Sequence, residues 1–215
     1  MKTFKKILIV LSLMLTFLPH TISSGYAFFD NRNISSNNSS IQIGDWATQV
    51  TVTKLIDFET FTNTNTGTIT ATINTVNFSL TSVTAGTTTN DQKNGTTSAK
   101  ITQIGNISTT DYFTNLQTIS FYLGMANNSK LNGSYSFNVE ISNNGSSWTS
   151  ISTTNSPANN LTLYSFDMAT LLANGITLSN GTATSSTPLV IRIVTYATGS
   201  TKYFNVDDLT IAYLS

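Results

Sequence analysis

The chain is 215 residues long, with ten basic and ten acidic side chains, no cysteine and one histidine, His20. The absence of cysteine excludes disulfides and thiolate zinc sites. The few Lys and Arg are scattered, which excludes the clustered basic surface that a nucleic-acid partner requires.

Residues 1–27 read as a secretory signal peptide. Lys2, Lys5 and Lys6 form its positive start, residues 7–18 its apolar centre, and Gly25-Tyr26-Ala27 supplies small residues at the cleavage site. The apolar run is shorter than the roughly 20 residues that span a bilayer, and no second run follows, so an integral membrane protein is not expected. Cleavage removes His20 and three lysines. Seven basic residues then face ten acidic ones, a net charge near −3. Most His- and Cys-dependent catalysis and metal binding leaves with the signal segment, and a secreted, extracellular protein is expected.

Residues 28–45 are rich in Asn and Ser, show no hydrophobic period and read as a flexible leader. A single domain is expected over 46–215. Short apolar-periodic runs, separated by Asn/Gly/Ser/Thr turns, predict strands at 46–58, 68–80, 98–104 and 118–125. In 134–142, Tyr135, Phe137, Val139 and Ile141 alternate with Ser136, Asn138 and Glu140, so one face is buried and the other wet. Asn143-Asn144-Gly145 predicts a turn, with 147–152 as the return strand. Further strands are expected at 161–166, 189–196 and 203–214, and about two helical turns at 166–173. So many strands and so little helix predict an all-β antiparallel sandwich of jelly-roll type.

Phe204 and Val206 share one parity in the last strand, while Leu209, Ile211 and Tyr213 share the other. A β-bulge at Asp207-Asp208 reconciles them. Asp57-Phe58-Glu59 ends the first strand, and a loop with Asn90, Asp91, Asn94 and Gly95 lies between. In a jelly roll the first and last strands are neighbours, so Glu59, Asp207, Asp91 and Asn94 form a candidate oxygen-ligand set for one structural Ca²⁺. The competing reading is that they are ordinary turn-forming residues at strand ends.

Tyr122, Arg192 and Tyr196 are turned away from the core by strand parity. They form a candidate aromatic and guanidinium platform for a sugar, against the reading that they are ordinary strand residues. Glu140 reads as a solvated strand residue. No nucleophile elbow, phosphate loop or zinc spacing is present, so no catalytic residue is assigned.

Five segments carry a resemblance when taken together: Asp57-Phe58-Glu59, Asn90 to Ile101, Ile141 to Trp148, Ile191-Arg192-Ile193-Val194, and Asn205 to Ile211. The set resembles the accessory jelly-roll modules of bacterial secreted proteins, which are similar to carbohydrate-binding modules. Residues 168–188 are longer than that resemblance predicts. It implies a calcium ion held by Glu59 and Asp207, and no catalytic residues. The expectation is a secreted, non-catalytic binding module for an extracellular glycan. The alternative is a structural or adhesive protein whose partner is a surface protein.

Overall fold

The computed structural model describes residues 49–126, 135–198 and 202–215. The expected signal segment, the leader and the start of the domain at residue 46 lie outside them. The described residues form β1 (Thr51–Ile56), β2 (Thr68–Ile73), β3 (Val76–Gly86), β4 (Ser98–Thr109), β5 (Leu116–Met125), β6 (Tyr135–Ser142) and β7 (Thr149–Asn155). They continue with β8 (Thr162–Asp167), helix α1 (Met168–Ala173), β9 (Ile176–Leu178), β10 (Gly181–Ala183), β11 (Val190–Ala197) and β12 (Tyr203–Leu214). The all-β expectation holds. Among the described residues, no helix is long and apolar enough to cross a membrane.

Strands β3 and β4 decide how the sheet closes. The second half of β4 pairs with the first half of β3 on one side and with β11 on the other. Its first half pairs with the second half of β3 and with β12. One layer therefore runs β2-β3-β4-β11-β6-β7, and the other β3-β4-β12-β5-β8, all antiparallel. The two strands turn from one layer into the other at Ser82 (φ 55°) and Gln103 (φ 47°). Gly105 stands at this corner. A Cβ there would lie 2.6 Å from the Thr81 carbonyl oxygen, so only glycine lets the backbones approach.

The layers face each other through aromatic rings. Phe121 of β5 meets Phe137 of β6 edge-on at 5.8 Å between centroids, and Tyr164 of β8 meets Phe137 at 4.8 Å. Phe137, Val139 and Ile141 are fully buried, as the alternation in β6 requires.

Strand β12 matches the expected 203–214, and its first pairing with β5 breaks between Asp207 and Thr210, with Asp208 at φ 48°. This is the expected bulge. Beyond it, β12 takes β1 as a neighbour, so the first and last strands do adjoin.

Other boundaries differ. The expected strand 68–80 is a hairpin, β2–β3, turning at Asn74 and Thr75 with positive φ. Threonine rarely takes that conformation, so the turn carried little sequence signal. Strand β4 continues past residue 104, because Gly105 marks a close approach and not a turn. The long stretch 168–188 holds α1 and the β9–β10 hairpin. Asp167 caps α1 by accepting from the Thr170 N–H at 3.0 Å.

Phe137→Ala is expected to cost about 3–5 kcal/mol, through lost burial and the cavity left between the layers. Denaturant unfolding measures it. A cost under about 1 kcal/mol would be incompatible with an interlayer position for this ring.

Candidate functional site

The outer face of the β4–β11–β6 layer is built from residues of one parity. Arg192 of β11 sits between Ser108 of β4 and Glu140 of β6 in register, and Val194 sits between Asn106 and Asn138. Several of these residues are buried although they point away from the core: Ser108 (7% exposed), Glu140 (7%), Val190 (2%) and Val194 (6%). The two valines do not belong to the core cluster. A face whose own floor is buried is concave.

Over this floor lies a groove of about 350 Å³, a size suited to a small ligand. Asn106, Ser108 and Arg192 line its floor, and Trp148, Tyr112 and Gly145 stand beside it. Arg192 is fixed twice. Its Nε donates to Glu140 Oε2 at 2.7 Å, and its second guanidinium nitrogen donates to the same oxygen. Its guanidinium lies 4.1 Å from the centroid of the Trp148 ring. Glu140 is therefore not the solvated residue that alternation suggested; it points outward but is covered by Arg192 and neutralised by it.

The β6–β7 turn brings Trp148 here. Gly145 takes φ 70°, and Asn144 Oδ1 accepts from the Ser146 and Ser147 N–H groups at 2.9 and 2.8 Å. Tyr112, half-exposed, arrives from the β4–β5 connection, its hydroxyl close to Gly145. Neither aromatic stood out in the sequence as a site residue. The available signal was an aromatic three residues after an Asn-Gly turn.

Of the three expected platform residues, Arg192 and Tyr196 share this face. Tyr122 does not join them. It stands on β5, paired with Asp207 and Leu163 in the other layer. Parity turned it outward as expected, but on the outer face of the other layer.

A second polar cluster joins the segment after β1 to the bulge in β12. Residues 94–96 lie across both acidic segments: the Asn94 N–H donates to Asp207 Oδ2 at 2.8 Å, and the Thr96 N–H donates to Glu59 Oε1 at 3.0 Å. The Asn94 amide donates to Asp208 Oδ2 at 2.8 Å. Gly95 has φ 88°, and a Cβ there would collide with Glu59 Oε1. Glu59, Asp207 and Asn94 are thus brought together. Asp91 is committed elsewhere: its Oδ2 accepts from the Thr88 N–H and hydroxyl, and its Oδ1 faces the Lys100 ammonium at 2.9 Å. Burial opposes ionisation of Asp91, but the Lys100 and Thr88 hydrogen bonds outweigh it and hold the carboxyl below its usual range.

Burial is also the main influence on Asp207 and pushes its carboxyl up to about 7. The Asn94 and Asp208 N–H groups oppose this, while the Asp208 and Glu59 charges add to it. Oxygen donors around a buried carboxylate are the chemistry of a hard cation site. Among the described residues, however, no three acidic or imidazole side chains form a ready cage, and the carboxylates are met by N–H donors.

No family model matches the chain, and no curated protein does. Solved structures do show similarity. One is TmCBM61 in complex with beta-1,4-galactotriose, at 9% identity and a TM-score of 0.40, covering 74% of this chain and 93% of that one. Another is the Clostridium thermocellum xylanase 10B, in its CBM22-1–GH10 modules complexed with xylohexaose. There the identity is 14%, the TM-score 0.41 and the coverage 77% of this chain. The match spans only 28% of that xylanase chain.

The raised Asp207 carboxyl has a defined consequence for stability. Its pKa in the folded state, about 7, lies above the ordinary 3.8. The native state therefore binds this proton more tightly than the unfolded state does. The group's unfavourable contribution is full above pH 7 and vanishes below about 4. In chelator, Asp207→Asn is expected to remove the part of the stability gain that wild type shows on going from pH 8 to pH 5. Denaturation midpoints at the two pH values check this; an unchanged pH slope would contradict it.

Proposed function

We propose that this chain is a secreted, non-catalytic module that binds a neutral glycan in the groove over β4, β11 and β6. The observation that carries the reading is the Trp148–Arg192–Glu140 stack. An indole rests on a guanidinium whose charge is cancelled from below. One indole face is thereby occupied by the protein, and the ring is fixed as a platform on which an apolar sugar face stacks. Around it, Asn106, Ser108 and Thr81 offer amide and hydroxyl groups to sugar hydroxyls. No Asp or Glu lines the groove, so the paired carboxylates of a glycosidase are not available to a ligand there. The solved structures named above contain modules bound to galactotriose and xylohexaose, so galactans and xylans are sensible first probes.

Affinity electrophoresis through gels containing neutral polysaccharides, galactan and xylan among them, tests the reading. Wild type should be retarded by at least one. Trp148→Ala should lose at least about tenfold in affinity, equivalent to about 1.4 kcal/mol. Its melting temperature should change little, because the ring lies outside the core cluster. Retention by none, with capture by a purified surface protein instead, would favour the adhesive alternative.

Calcium binding by Glu59 and Asp207, beside Asn94, is a separate part of the proposal. It is supported by the burial of Asp207 and by the carboxylate charges that raise its pKa. A cation held there supplies positive charge to a region where three carboxylates meet one loop, and joins the two ends of the domain. At free calcium 100 times the dissociation constant, the stabilisation is about 2.7 kcal/mol. Chelator should lower the melting temperature of wild type and leave the Glu59→Gln/Asp207→Asn double variant unmoved. Identical wild-type melting with calcium and with chelator would leave the cluster as turn chemistry alone.

A further inference from the structure

The groove occupies only one end of β11. Arg192, Val194 and Tyr196 share a parity and project from the same side of that strand. Around Tyr196, where β6 begins and β11 ends, lies a second pocket of about 330 Å³; Ser136 of β6 and Asn155 of β7 line it on the outer face, and Tyr135 and Ala197 line it at the strand ends. Tyr196, Ser136 and Asn155 form one row across the sheet: Tyr196 pairs with Ser136, and Ser136 with Asn155. The row between the two pockets is Val194 beside Asn138, and it lies low. Val194 is only 6% exposed, although it faces away from the core. The floor between the pockets is therefore depressed, and Asn106 and Asn138 flank it with uncharged amides.

Resting on the reading of the groove given above, we infer that the two pockets are the ends of one trough along β11. Tyr196 is its second stacking point, and the trough takes a glycan chain of several units. Four residue steps of extended strand carry the chain from Arg192 to Tyr196, about 13 Å at roughly 3.3 Å per residue. One pyranose ring cannot touch both ends, whereas a short chain laid along the strand meets both. Tyr196 suits the role. It is among the exposed large hydrophobic side chains, at 38%, and it offers a flat face and a hydroxyl together. Asn138 and Asn106 stand where the middle units would pass, with both donor and acceptor atoms. The trough thus selects for chain length: single sugars and disaccharides fill the Trp148 end alone, and longer chains gain the Tyr196 contact.

The test is calorimetric titration of the full protein with a ladder of oligosaccharides, from one to six units, cut from the polysaccharide that retards it in affinity gels. Wild type should bind the longest members more tightly than the shortest. Tyr196→Ala should weaken binding of the longest about tenfold, the size of one aromatic contact, and leave the shortest unchanged. Tyr196→Phe should keep most of the length preference. Trp148→Ala should weaken every member. Unchanged melting of the Tyr196 variants shows that the fold is intact. Affinity that does not grow with chain length overturns the trough while leaving the groove. So does a length preference that survives Tyr196→Ala. Retardation by no polysaccharide at all overturns the groove reading, and the trough with it.

Discussion

Everything in this domain depends on two strands belonging to both layers at once. A sheet with one apolar face has to bury it, and here β3 and β4 fold that face onto itself by leaving one layer and entering the other. The bend requires backbone in the left-handed region at Ser82 and Gln103, and a glycine where Thr81 presses against residue 105. Once that corner is fixed, Phe121 and Phe137 meet across the interior, and no disulfide is needed to hold the layers together. The outer face of the β4–β11–β6 layer is left to side chains of the opposite parity, and the groove lies over them.

Charge is used sparingly, and the two polar clusters use it in opposite ways. Over the groove floor, Arg192 covers Glu140 and the two charges cancel, with Glu140 nearly buried and Arg192 still part-exposed. Burying such a pair gains little stability in itself, because the cost of desolvation offsets the attraction. Its effect here is geometric: it fixes a guanidinium against an indole and leaves the pair neutral. Between the segment after β1 and the bulge in β12, Asp207, Asp208 and Glu59 gather, and the charges of Glu59 and Asp208 add to the burial that raises the Asp207 pKa. One cluster is settled internally and presents a platform. The other gathers charges of one sign around a buried carboxyl whose pKa is pushed up to about 7.

The sequence made some elements plain. The inward set Phe137, Val139 and Ile141 and the parity break at Asp207-Asp208 each appeared in the structure as read. Other elements were hidden. Asn74-Thr75 turns with positive φ at a threonine, and Gly105 resembles a loop residue although it lies inside a strand. Glu140 alternates like a wet residue, but it is covered by a partner 52 positions away. Trp148 looked like part of a return strand, and only the Asn144 turn carries it over Arg192.

Local pattern by itself determined the all-β class, the inward set of the principal strands and the bulge. Period and parity are properties of neighbouring residues, so they can be read without knowing what lies opposite. Tertiary structure alone decided which outward faces are shared. Tyr122, Arg192 and Tyr196 all point away from the core, yet only the last two stand in one layer. Parity fixes the side of a strand on which a residue lies. Which sheet that strand joins, and whether its outer face is concave, depends on pairings between residues distant in sequence.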